Sequence, residues 1–155
     1  MKRFVFLSTL IIGLAVFLAC ESNPLNSRLV IWYENGSPKI TRTDFEVYLD
    51  GQLLLKDTLT YTGIADYWDT HECHLRKGFH RLQFKSIQNG VSLDTTFMAS
   101  DTVQHVFVSF SFDSISEETK ALLRKSFTPE EVINEMDRPK SFALYMVKRD
   151  HMSVP

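Results

Sequence analysis

Cysteine is nearly absent from this chain, with two residues, Cys20 and Cys73, among 155. That is too few for the disulfide framework on which small secreted domains often rely, so the fold has to hold by packing. An excess of positive charge is missing too. Lys and Arg number 17 against 19 Asp and Glu, which argues against a nucleic acid partner and against a polybasic grip on anionic lipid. No low-complexity tract or internal repeat is present. Catalytic signatures are lacking as well: there is no G-x-S-x-G elbow and no Cys–His spacing with an orienting third residue. No Gly-rich phosphate loop occurs. Asp44, Glu46, Asp66 and Asp69 are expected at strand edges or turns, where a solvated carboxylate is the ordinary outcome. The chain therefore reads as non-catalytic and without a cofactor.

Long apolar runs are missing everywhere except at the start. Lys2 and Arg3 precede an apolar stretch from Phe4 to Ala19, broken only by Ser8, Thr9 and Gly13. A membrane-crossing helix needs roughly 20 apolar residues, and this run is shorter. A basic start, a compact apolar stretch and a small residue at its end describe a secretory signal peptide. Ala19 is followed directly by Cys20, and the polar stretch ESNPLNS begins at once. The arrangement resembles the lipobox of bacterial lipoproteins, with Phe17 and Leu18 at positions where Leu and a small residue are usual.

The resemblance implies that Cys20 receives a diacylglycerol and becomes the mature N-terminus, anchored in a bilayer, with the outer membrane as the expected address. An uncleaved signal anchor and a cleaved, soluble product are the alternatives. The expected organisation is a signal peptide at 1–19, a lipidated tether at 20–27 and one folded domain at 28–155. Without residues 1–19, 15 basic residues face 19 acidic ones, a balance of −4. Acylation of Cys20 would leave Cys73 without a partner in the chain.

From Arg28 to Asp113 the apolar pattern has period two. Phe45, Val47 and Leu49 alternate with Asp44, Glu46 and Tyr48, and Asp50-Gly51 then leads into QLLLKDTL. Asp-Gly between alternating runs predicts a type I′ hairpin, and Asn89-Gly90 is a second such case. About eight strands are predicted, among them RLVIWY, DYWDTHECHL, HVFVSFSF and a final SFALYMVKR, giving an antiparallel β-sandwich. FEVYLDGQLL together with HLRKGFHRLQF is similar to the PEGA-type and related transthyretin-like or immunoglobulin-like sandwiches of bacterial envelope proteins. The match runs through Val47, Asp50, Gly51, Leu75, Gly78, His80 and Leu82, and it implies an envelope setting.

Periodicity changes at about 114–137. Ser114 to Glu117 and Thr128 to Glu131 match the capping box, with Pro129 at a first helical position. Two short helices are predicted, presenting Ile115, Leu122 and Leu123, then Val132, Ile133 and Met136. They are expected to pack as a lid on one sandwich edge, with a surface for a partner protein as the alternative.

HECH, residues 71–74, is the one dense cluster of metal-ligand types. On a strand His71 and Cys73 share one face while Glu72 and His74 share the other, short of the ligand number zinc requires. Parity with Leu75 turns Cys73 inward, and no metal is expected. Asn35-Gly36-Ser37 is read as a turn. The candidate ligand-binding residues are Trp32, Tyr33, Tyr67 and Trp68, since exposed rings beside carboxylates can stack on a sugar. Trp32 and Tyr33 must point to opposite faces. Trp68 is expected in the core, because large aromatics are mostly buried. Two functions follow: an accessory or assembly subunit acting by protein contact, or a glycan- or ligand-binding module. Exposure of the four rings separates them.

Overall fold

The computed structural model describes residues 27–149. The expected signal peptide, Cys20 and most of the expected tether lie outside the described residues. The first strand, β1 (Ser27–Asn35), starts one residue earlier than expected. Ser27 is buried, and its Oγ donates to the Ser100 carbonyl at 2.5 Å.

Seven more strands follow: β2 (Arg42–Leu49), β3 (Gln52–Thr60), β4 (Asp69–Leu75), β5 (Gly78–Ser86), β6 (Val91–Ala99), β7 (Val103–Ser111) and β8 (Ser141–Lys148). They form two four-stranded sheets, sheet A in the order β4-β1-β7-β8 and sheet B in the order β3-β2-β5-β6. The fold is a β-sandwich. Its strands are not all antiparallel, which corrects the expected arrangement at the centre of sheet A. There β1 and β7 run parallel, with Arg28 opposite Val103 and Asn35 opposite Phe110. Parallel neighbours need a long connection, and all of β2 to β6 supplies it.

Alternation decides what the sandwich encloses. Leu29, Ile31, Tyr33, Val106, Val108, Phe110 and Phe142 from sheet A meet Phe45, Val47, Leu59, Leu82, Phe84 and Phe97 from sheet B. Phe45 joins the layers. Its ring lies 5.2 Å from Tyr33, 5.9 Å from Phe142 and 6.1 Å from Phe84, centroid to centroid. Such ring pairs contribute about 0.5–1.5 kcal/mol each beyond area burial, and here they do the joining that a disulfide does elsewhere. The Asn35-Gly36-Ser37 turn is also internal. Ser37 is buried and the Asn35 amide donates to the Ile40 carbonyl at 2.7 Å.

The Asp50-Gly51 hairpin has positive φ at both residues, 51° and 82°, as a type I′ turn requires. Asp50 accepts from the Arg81 N–H at 2.8 Å and lies 2.6 Å from His80 Nδ1, while His80 Nε2 reaches the Arg76 carbonyl at 2.8 Å. Asp50, Gly51 and His80 thus form a bracket tying the hairpin to β5. No atom stands within 4 Å of a Cβ added at Gly51, so Gly51→Val should act through the backbone alone. The expected loss is about 1–2 kcal/mol, read by chemical denaturation; unchanged stability would remove the positive-φ assignment.

The second hairpin differs from the expected I′ turn. Only Gly90 has positive φ there, 64°, and its N–H bonds the Ile87 carbonyl at 3.2 Å. This is a four-residue loop, and Asp44 is what sets it. The Asp44 carboxylate accepts from Ser86 Oγ, Ile87 N and Gln88 N at 2.8, 2.8 and 3.0 Å. Burial pushes the Asp44 pKa up, but these bonds outweigh it and hold the group below the usual carboxylate range.

Two helices, α1 (Glu117–Lys125) and α2 (Glu130–Met136), connect β7 to β8. Their caps shift from the predicted ones. Ser116, two residues beyond Ser114, caps α1 by accepting from Thr119 N at 3.1 Å. Pro129 rather than Thr128 stands at the start of α2, without a side-chain cap bond. The predicted lid is also corrected: Ile133 is the one helical residue fully buried, while Leu122, Val132 and Met136 are exposed. Among the described residues no helix is long and apolar enough to cross a membrane.

Candidate functional site

The outer faces of the two sheets differ in chemistry. On sheet B, Glu46, Lys56, Tyr48, Lys85, Arg81, Gln83 and Asp94 make a polar network along the middle of the face, with Phe79, Met98 and Leu53 exposed towards its ends. Lys56 and Tyr48 both bond the Glu46 carboxylate at 2.7 Å, and Arg81 pairs with Asp94 at 2.9 Å. Glu46 is buried in mid-strand beneath these partners, not solvated at an edge as expected. Lys56 first, and then Tyr48, hold its pKa below the ordinary value.

Sheet A presents rings instead. Register places Trp32 of β1 beside Phe107 of β7, and Phe107 beside Tyr145 of β8. Inward parity for Val106, Val108 and Phe142 forces these three outward. Trp32 stacks on Phe107 with centroids 5.6 Å apart and planes 11° from parallel. Trp68, just before β4, meets Phe107 edge-on at 5.6 Å and 90°. Tyr145 lies 6.4 Å from Phe107 and is 68 % exposed. Trp68, Phe107, Tyr145, Val147 and Arg149 enclose an open groove of about 430 Å³. That volume lies within the roughly 300–1,000 Å³ of ordinary ligand sites.

The four ring candidates therefore part company. Trp32 and Trp68 come together on the outer face, so Trp68 is not the core residue it was expected to be. Tyr33 is removed from candidacy. It is buried opposite Trp32's face, its hydroxyl donates to Asp57 at 2.9 Å, and burial first, then Asp57, raise its pKa. Tyr67 is exposed but lines a separate pocket of about 280 Å³ with Tyr61, Asp66, Asp69 and Glu34.

His105 stands on the same face of β7, two residues before Phe107 and next to Trp32. It is buried, and its Nδ1 accepts from Trp32 Nε1–H at 3.1 Å. Burial holds its pKa below the ordinary histidine value, Arg28 lowers it further, and a hydrogen bond with the Arg149 backbone opposes both. The neutral ring is thus the folded form, and only that form can accept from the indole. Because the folded pKa is depressed, this contribution is full above the unfolded value of about 6.5 and is lost as pH falls through the folded value. Acidification below about pH 6.5 should weaken folding more in the parent than in His105→Gln. One proton limits that difference in slope to about 1.4 kcal/mol per pH unit. Equal slopes in denaturation curves from pH 7 to 4.5 would contradict it.

HECH carries no ligand set. His71 and Cys73 face inward opposite Ile31 and Leu29, while Glu72 turns outward and pairs with Arg28 at 2.5 Å. Among the described residues no group of three or more His, Cys, Asp or Glu is placed to hold a metal. The half-buried Cys73 thiol is pushed up to about 11 by burial first and by Glu72 second, which makes its thiolate scarce at neutral pH.

Phe107 and Tyr145 are site residues that single-strand reading missed. Their parity was legible in HVFVSFSF and SFALYMVKR, but the register joining them to Trp32 was not. Compared with known proteins, the chain matches no family model and no curated protein.

Proposed function

We propose that this chain is a non-catalytic, lipid-anchored protein of the bacterial cell envelope, most at home on the outer membrane, whose sandwich is a ligand-binding module. The ligand class is a glycan. One observation carries the reading: both tryptophans of the chain lie with Phe107 and Tyr145 on the outer face of sheet A, in ring-to-ring contact and beside a groove of about 430 Å³. Tyr145 is exposed and the other three rings are half-buried, and a contiguous aromatic patch that keeps part of its surface in water marks an interaction surface. Trp and Tyr add polar tips to apolar rings, which suits a sugar's apolar ring face and hydroxyl rim. The absence of nucleophile, phosphate-loop and metal signatures in the sequence supports binding over catalysis. A screen of oligosaccharides read by intrinsic tryptophan fluorescence tests this, because no tryptophan lies elsewhere. Saturable spectral change with at least one glycan is expected; a flat response across the screen would overturn the reading.

A second reading, an accessory or assembly subunit acting by protein contact, is supported by the helical excursion. Leu122, Val132 and Met136 are exposed there, and Phe127 is 95 % exposed with φ of 62°. A non-glycine residue in that conformation costs about 1–2 kcal/mol, and such strain tends to persist at functional segments. Co-purification of the acylated chain from its own membranes, parent against Phe127→Ser, separates the cases. Loss of a stoichiometric partner in the variant would favour this second function, and identical partners in both would remove the helices from it.

A further inference from the structure

We infer that the groove on sheet A selects acidic glycans, with Arg149 receiving a carboxylate while the rings hold the sugar; the inference rests on the glycan-binding reading above. The groove's size and openness narrow the occupant. A stable protein interface buries about 800 Å² and 20–30 residues per partner, whereas this lining amounts to five side chains. An acyl chain or other wholly apolar ligand is bound by enclosure of most of its surface. This groove is open along its length and leaves Tyr145 68 % exposed. A ring with one apolar face and a polar edge fits what remains. It can lie between Trp68 and Tyr145, over Phe107, with its hydroxyls in water.

Charge complementarity supplies the second half of the argument. The lining contains one charged side chain, Arg149, and no carboxylate. Two outward acids stand near it by register, and neither lines the groove. Glu34, two residues beyond Trp32 on β1, lines the separate pocket with Tyr67. Glu72 is engaged by Arg28 through two contacts, at 2.5 and 2.7 Å. A guanidinium at the rim of an apolar groove is a directional receptor for a carboxylate, which it meets through two parallel N–H donors. A neutral sugar would use the rings and leave that fork to water. An acidic sugar would use both.

The probes are oligosaccharides of uronic acids and of sialic acid, each paired with a counterpart whose carboxyl groups are reduced to alcohols. Binding to the full chain is measured by calorimetry and by tryptophan fluorescence. The expected result is that at least one acidic probe binds about tenfold or more tightly than its reduced partner, the scale of one charge-assisted pair. Arg149→Gln should abolish the difference in affinity between the acidic probe and its reduced partner. Trp68→Ala should weaken both alike. Equal affinity for each pair, or an acid preference that survives Arg149→Gln, would overturn the inference while leaving glycan binding intact. No binding by any probe, acidic or reduced, would overturn the inference, and a flat response across the wider oligosaccharide screen would overturn glycan binding as well.

Discussion

Cys20→Ala should release the chain from its membrane or leave its precursor uncleaved, and no other single change is expected to alter its location as completely. Each buried methylene of an acyl chain contributes about 0.8 kcal/mol to membrane residence, and two chains hold a protein stably where one does not. A diacylglycerol on residue 20 would thus supply nearly the whole anchoring energy. Among the described residues no helix can cross a bilayer, and a balance of −4 after residue 19 gives no electrostatic hold on anionic lipid. Membrane fractionation of parent and variant reads the effect. Mass spectrometry that found Cys20 unmodified in the mature chain would dispose of the anchor.

Trp68→Ala combined with Tyr145→Ala should cost about a hundredfold in glycan affinity and almost nothing in folding. Each ring forms one side of the groove, and stacking of this kind contributes about 1.4 kcal/mol apiece, tenfold each. Neither ring belongs to the buried core, so the thermal midpoint should stay near that of the parent. Phe45→Ala provides the opposite case. That ring is fully buried between Tyr33, Phe84 and Phe142, and its removal should cost about 3–5 kcal/mol. A double variant that unfolds like Phe45→Ala would return Trp68 and Tyr145 to the core. Retained affinity would move the ligand elsewhere.

Local physics was legible in the sequence and long-range pairing was not. Period-two alternation located eight strands, Asp50-Gly51 announced its own turn, and parity divided Trp32 from Tyr33 and turned Cys73 inward with Leu75. Each of these depends on neighbours within a few residues. The parallel contact of β1 with β7 depends on where the chain returns after five strands in between. Trp68 is a different case: parity with Leu75 along DYWDTHECHL turns it outward, and its size, which suggested the core, misled. Its place over Phe107 follows from sheet order, as does the grouping of Trp32, Phe107 and Tyr145. The burial of Glu46 was equally hidden, because Lys56 reaches it from the next strand and Tyr48 from two residues along. In the helices the capping residues were present in the sequence, but more than one serine could fill the role, and Ser116 took it from Ser114.

Two indole N–H signals are all that this chain can give in a nitrogen-correlated NMR spectrum, since Trp32 and Trp68 are its only tryptophans. Both belong to the outer face of sheet A, Trp32 bonded to His105 and Trp68 at the groove wall. Titrating the full chain with the tightest oligosaccharide of the screen therefore tests the binding face directly. Both indole signals should shift and saturate together, with Trp68 moving further, while the backbone amides of Leu122, Phe127 and Val132 stay in place. Binding that left both indoles unmoved, or that shifted the helical amides instead, would contradict the assignment of this face as the site.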